Sequence, residues 1–164
     1  YNALSYEWGD PDQPSHWIRV NDGYLKVREN LFRFLHTARG KPRAQPGLNE
    51  YIWIDAVCIN QDDDQEKGHQ VQDMQSVYSY AHAVYVWLGT ESNANIDSVA
   101  DKIPVWHRAE QNVRWIPHDV RQTFYRQLLD PTCQTHLAIE DICNNSYWDR
   151  MWIIQEILSA RGEI

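Results

Sequence analysis

Glu156 stands seven residues after Asp149, four after Trp152 and three after Ile153, within "NSYWDRMWIIQEILSA", residues 145–160. Read as one helix, that stretch puts these side chains on one face, with an indole one turn below the carboxylate. A carboxylate beside aromatic surface in a partly dry cleft suits stabilising a developing cation, as at the anomeric carbon of a sugar. The same stretch also permits a structural reading. Its helix is apolar on most sides and is expected to be buried, so Arg150, Gln155 and Glu156 need partners. Glu156 would then pair with Arg150 or accept from amides, and the residues taken alone favour this structural role.

Ligands of open α/β sheets bind beyond the carboxyl ends of the strands, and three such ends supply further candidates. Ser5-Tyr6-Glu7-Trp8-Gly9-Asp10 offers a hydroxyl, aromatic faces and a Gly for close backbone approach. Asp55 to Gln61, "DAVCINQ", offers a carboxylate, a thiol and the amides of Asn60 and Gln61. Gly89-Thr90-Glu91 is the third. Each of these groups would serve equally well to cap a helix or order a loop. No His lies near Cys58 to activate it as a nucleophile, so it reads as buried, inert packing. Cys133, His136 and Cys143 are too sparse for a zinc site. Asp62-Asp63-Asp64 could hold Mg²⁺ and support phosphoryl transfer or a nuclease. Ahead of a helix it reads instead as a complement to the positive helix end, and no metal site is assigned.

The elements that must position these groups follow from periodicity. Residues 2–8 read as a buried strand, and Trp17–Val20 and Tyr24–Val27 flank "NDG", a hairpin signal. Leu31, Phe34, Leu35 and Ala38 recur at helical spacing and predict a helix over 28–39. Tyr51–Val57, "YIWIDAV", reads as a central strand buried on both faces. A helix follows from Asp63, with Glu66 in capping-box spacing and a stripe of Val71, Met74, Val77, Tyr78 and Ala81. "AVYVWLG", residues 83–89, reads as another buried strand. Strand, helix, strand implies a parallel pair with a right-handed crossover. Further helices are expected at 96–109, 117–130 and 134–143, and Ser146 is expected to cap the final one.

The 164 residues fit one domain with a substantial core. A net charge of −8 argues against sequence-independent nucleic-acid binding. An anionic ligand would therefore rely on local cations such as Arg150, Lys67, Arg19 or Arg28. No apolar run reaches the length of a membrane span, and three scattered cysteines suit a reducing compartment, with cytoplasm the default. The chain starts without Met and reads as a domain cut from something longer.

"YNALSYEWGD", "YIWIDAVCINQDDDQEKGHQVQDMQSVYSYAHAVYVWLG" and "YWDRMWIIQEIL" occur in this order and span nearly the whole chain. Together they resemble the heterokaryon incompatibility domain of filamentous fungi. The resemblance implies one domain over 1–164, with 93–144 a variable helical segment. It also implies a cytosolic module of fungal non-self recognition and innate immunity whose engagement triggers programmed cell death. More remotely, "YNALSY" looks like the opening strand of Toll/interleukin-1 receptor domains, and Trp152-x-x-x-Glu156 like their Trp-Cys-x-x-Glu helix, with Ile153 in place of the Cys. This likeness implies a three-layer, flavodoxin-like, mainly parallel sheet with helices on both faces, plus the hairpin and the added helical segment.

Enzymatic members of that superfamily cleave NAD⁺ with the Glu, and the carry-over puts that role on Glu156. Ser5, Tyr6, Trp8, Gly9, Asp55, Asn60, Gln61, Arg150, Trp152 and Gln155 would bind the nucleotide, Arg150 meeting a phosphate and Trp8 stacking on a base. NAD⁺ or a related nucleotide would be substrate, and no cofactor is expected. The alternative is a non-enzymatic module that signals by self-association or by binding other incompatibility proteins. Neither a nucleic acid nor a membrane is expected as a partner.

Overall fold

In the computed structural model, the described residues are 1–40, 51–89 and 118–160. The helix expected at 96–109 lies outside them. The chain forms two compact units, residues 1–90 with 149–164 and residues 91–148.

The first unit is built on a parallel sheet of three strands in the order β4-β1-β5. They are β1 (Asn2–Tyr6), β4 (Ile52–Trp53) and β5 (Val84–Trp87). All five residues of β1 are buried. Alternate side chains of a strand point to opposite faces, and here they enter two separate cores. Leu4 and Tyr6 pack with Val27, Leu31, Phe34 and Ile54. Ala3 packs with Met74, Tyr78, Ala81 and Val84. The first core is closed by α1 (Glu29–Gly40) and an antiparallel hairpin of β2 (Ser15–Val20) and β3 (Gly23–Arg28), and the second by α3 (Asp64–Tyr80). The unit is therefore an α/β fold with helices against both faces of the sheet, as expected. The hairpin turns at Asn21, whose φ of 53° suits Asn. It is tied to α1 by a His16–Glu29 contact and by His16 stacking on Phe32 at 4.1 Å.

One expectation is corrected at 51–57. That run is no central strand: β4 holds only two residues and lies at the sheet edge among the described residues, while β1 takes the centre. A short helix α2 (Asp55–Cys58) begins where the strand was expected to continue. The Ile54 carbonyl accepts from the N–H groups of Val57 and Cys58 at 3.0 and 2.8 Å. Asp55 Oδ1 accepts from the Ala56 N–H at 2.7 Å. Such local bonds offer the backbone an alternative to a sheet ladder. Ile54 is buried before this turn and Ile59 after it, so burial is reached from both ends of a bend. Consequently β4 and β5 do not pair; each pairs in parallel with β1.

A second correction concerns 145–160, which is not one helix. A 3₁₀ turn (Ser146–Asp149) and a short helix, here α6 (Ile153–Leu158), are separated at Arg150–Trp152. Ser146 does not cap it; Asn145 Oδ1 accepts from the Tyr147 N–H at 2.9 Å, and α6 has no side-chain cap. Nor is it buried on most sides. Only Ile153 and Glu156 of α6 are buried.

The helix-start signal at Asp63 reads correctly. Its Oδ1 accepts from the N–H groups of Gln65 and Glu66 at 2.9 and 3.0 Å. Glu66 does not complete a capping box; its carboxylate accepts from the Asn60 N–H at 3.0 Å and shapes the preceding loop. The second unit contains α4 (His118–Leu129) and α5 (Gln134–Cys143), close to their expected bounds. Between them Asp130 Oδ1 accepts from the N–H and hydroxyl of Thr132.

Tyr78 spans strand and helix, its buried hydroxyl donating to the Leu4 carbonyl at 3.1 Å. Tyr78→Phe is expected to lower unfolding stability by about 1 kcal/mol. Tyr78→Ala, which also opens a cavity, should cost about 3–5 kcal/mol. Denaturant titration of the two variants checks the difference.

Candidate functional site

Ser5 points to the face of β1 opposite Leu4 and Tyr6, where α3 and α6 lie. It is fully buried, and Glu156 is 1% exposed. Desolvating a carboxylate this completely is tolerable only when its lone pairs are occupied. Here they are. Arg150 Nη2 donates to Oε1 at 2.7 Å and Nη1 to Oε2 at 2.9 Å, a two-pronged pair. The Ser5 hydroxyl donates to Oε2 and accepts a longer bond from Arg150 Nη1 at 3.4 Å. Arg150 and Glu156 are six apart, a spacing that places side chains on different faces of a continuous helix. The break at 150–152 is what lets the guanidinium fold back onto the carboxylate.

Beside this cluster, a second, partly buried group joins the ends of β1 and β4. Trp8 Nε1 donates to Asp55 Oδ2 at 2.6 Å. Burial pushes the Asp55 carboxyl above the usual carboxylate range. The bonds from Trp8, Ala56 N–H and Tyr6 pull it down, and Glu156 adds repulsion. Burial and the Asp55 charge hold the Tyr6 phenol protonated. Arg28 stacks over Trp8 at 5.4 Å and donates to the Gly9 carbonyl at 2.7 Å. Gly9 and Gly89 turn the chain after β1 and β5 with φ of 78° and 95°, conformations that disfavour other residues. A Cβ at either would make only ordinary contact with Asn30, so backbone conformation and not close approach requires these glycines. Asn30 ties both turns, donating to the Glu7 carbonyl at 2.6 Å and accepting from Trp87 Nε1 at 2.9 Å.

Between these groups opens a cleft of about 450 Å³. Of the candidates named from sequence, Trp8, Gly9, Asp55, Gln61, Arg150, Trp152 and Glu156 line it. Ser5 lies beneath, hydrogen-bonded to Glu156. Three candidates fall elsewhere. Tyr6 and Asn60 line a different cavity, toward the hairpin, and Gln155 points to solvent from the exposed side of α6. Glu7, named within the first strand end, and Lys67, named as a local cation, also line the cleft, as does Met151, which was not singled out. Glu7 and Lys67 were legible as polar groups next to strand-end loops. Met151 had no such signal.

Arg150 is committed to Glu156, so the role expected of it, meeting a phosphate, is not the one its geometry expresses. Lys67, which donates to the Gln61 carbonyl at 3.3 Å and pairs with exposed Asp64 at 2.8 Å, is the other cation on the wall. Trp8, expected to stack on a base, stacks on Arg28. Cys58, expected to be buried packing, is exposed. Among the described residues no cluster of three or more His, Cys, Asp or Glu is placed to hold a metal ion, and no helix is long and apolar enough to cross a membrane.

Because the folded-state pKa of Asp55 is raised, the folded protein binds a proton there before the unfolded chain does. Its contribution to stability therefore grows as pH falls from neutrality through the raised folded value, and levels off below the ordinary Asp value of about 3.9. Wild type should gain stability relative to Asp55→Asn across that interval. Denaturant unfolding of both proteins at stepped pH measures it.

The family model described as "Heterokaryon incompatibility protein (HET)" matches residues 1–156. An alignment 115 positions long, covering 62% of the chain, is 39% identical to "Heterokaryon incompatibility protein 6, OR allele" of Neurospora crassa, and that match covers 16% of the Neurospora protein. The chain thus spans about one sixth of the length of the curated relative it matches. No solved structure matches. With the family's pattern extending from β1 through Glu156, this chain belongs to the heterokaryon incompatibility family.

Proposed function

We propose that this domain is the cell-death effector part of a larger fungal incompatibility protein, and that it acts by cleaving NAD⁺ or a related nucleotide in the Glu156 cleft. The observation that carries the reading is a carboxylate on the wall of a cleft that also presents two indoles and a lysine. Trp8 and Trp152 offer flat surfaces to rings, and Lys67 offers charge to a phosphate. The Toll/interleukin-1 receptor likeness of the Trp152-x-x-x-Glu156 spacing supports the same assignment.

In this reaction the C1′–N bond of the nicotinamide riboside breaks, its electron pair passing to the ring nitrogen. Nicotinamide leaves neutral, so no general acid is needed. The ribose becomes oxocarbenium-like, and Glu156 steadies the growing positive charge across a short, dry distance. Water then attacks C1′, and its proton passes to Asp55, whose raised pKa suits a base working nearer neutrality. Arg150 and Ser5 act as positioning residues that fix the carboxylate.

A second reading has its own observation. Met151, Ile154 and Leu158 are 80%, 64% and 78% exposed. Ile154 and Leu158, four apart, lie on one side of α6, and Met151 stands in the turn before it. An exposed apolar row of this kind marks a protein-binding surface, and a module that signals by assembling with copies of itself would use it.

Glu156→Gln is expected to reduce nicotinamide release by roughly 10²–10⁴-fold. Gln cannot accept from both guanidinium nitrogens, so the variant should also lose about 3 kcal/mol of stability. The assay therefore runs at a temperature where circular dichroism shows both proteins folded. Turnover equal to wild type would remove Glu156 from the chemistry. Ile154→Lys with Leu158→Lys separates the readings: on the enzymatic reading turnover by the purified domain persists. Loss of cell killing together with loss of a light-scattering oligomer, from a wild type that turns over no nucleotide, would favour the assembly module.

A further inference from the structure

The hairpin bounds a second cavity, of about 740 Å³, that the Glu156 cleft does not account for. Its volume lies within the range of about 300–1,000 Å³ common to small-molecule sites. Five consecutive residues of β3, Tyr24 to Arg28, form one wall, and α2 with the loop after it forms the other.

The wall chemistry is specific. Trp17 and Lys26 are directly opposite in the hairpin register, and Tyr24 is the diagonal neighbour of Trp17 on the same face. Trp17 and Tyr24 are 66% and 73% exposed, a large aromatic area to leave in water on one hairpin. Lys26 and Arg28 put two cations on this wall of a chain whose net charge is −8. Across from them Asp62, Glu66 and Asn60 line the other wall. Aromatic faces, cations on one side, and carboxylates with an amide on the other are the three complements of a nucleotide. The rings stack a base, the cations meet its phosphate, and the carboxylates accept from ribose hydroxyls.

We infer that the cavity between the hairpin and α2 is a second binding site, for a nucleoside monophosphate. Trp17 and Tyr24 hold the base, Lys26 and Arg28 the phosphate, and Asp62 and Glu66 the sugar. The site is separate from the proposed cleavage reaction, which can fail without touching it. It also adjoins that cleft, since Trp8, Ile59 and Gln61 line both spaces.

Cys58 supplies the test, because it lines this cavity and is exposed. Adenosine 5′-monophosphate should slow alkylation of Cys58 by iodoacetamide, followed by mass spectrometry, and leave Cys133 and Cys143 unaffected. Inorganic phosphate at the same concentration should not protect. In Trp17→Ala and Lys26→Glu, half-protection should require roughly 10-fold more nucleotide. In Trp152→Ala, altered in the other cleft, it should stay at the wild-type concentration. Absence of protection, equal protection by phosphate alone, or equal protection in Trp17→Ala and Lys26→Glu would each overturn the assignment. Loss of protection in Trp152→Ala with retention in the hairpin variants would do so too, placing the nucleotide in the Glu156 cleft.

Discussion

A single buried charge pair, Arg150 with Glu156, decides how the C-terminal segment meets the central strand. Glu156 is 1% exposed and Arg150 brings both guanidinium prongs to it, while Ser5 closes the cluster from β1. Two charges taken out of water this far are a weak source of net stability but impose a strict geometry. The pair requires the chain to break between the 3₁₀ turn and α6. It requires a small hydroxyl side chain on the α3 and α6 face of β1, and it sets the direction in which α6 displays Ile154 and Leu158. The shortness of α6, its missing cap and its exposed outer side all follow from a segment held by one ionic anchor and the packing of Ile153.

The ends of the parallel strands are held just as firmly, by polar groups. Trp8 to Asp55, Asn30 to both glycine turns, and Arg28 to Gly9 form a frame around the place where the strands stop. In an open α/β sheet this is where ligands bind, and here the frame separates two spaces. One is bordered by Glu156 and Lys67, the other by the hairpin. Trp8, Ile59 and Gln61 belong to both walls, so a group that shifts one of them alters both cavities. The elevated Asp55 pKa is the electrostatic mark of the same crowding, set first by burial, with repulsion from the Glu156 carboxylate adding to it.

The unit belongs to the heterokaryon incompatibility family, and the match to the Neurospora protein covers 16% of that protein. Both proposals are sized to the domain. A carboxylate in an aromatic cleft, an apolar row on a short helix and a cationic hairpin cavity are distinct surfaces of one small fold, separable by point substitutions.

Local chemistry was legible in the sequence wherever neighbours in the chain are neighbours in space. The "NDG" hairpin, the Asp63 cap, α1, α4 and α5 each depend on contacts within a few residues, and turn chemistry and helical spacing predict them. The motif residues themselves were also legible, because Trp8, Asp55, Gln61, Arg150, Trp152 and Glu156 stand at strand ends and on one helical segment. What they touch was not. Hydrophobic continuity made 51–57 look like a central strand, yet bonds to Ile54 and Asp55 bend it after two paired residues. The same continuity made 145–160 look like one buried helix, yet a charge pair between residues six apart breaks it. Apolar pattern reports that a side chain will be buried, not whether the backbone reaches that burial straight or bent. Only the tertiary structure joined Ser5 to Glu156 across 151 residues of sequence, because a buried carboxylate takes whatever donors the packed chain brings to it.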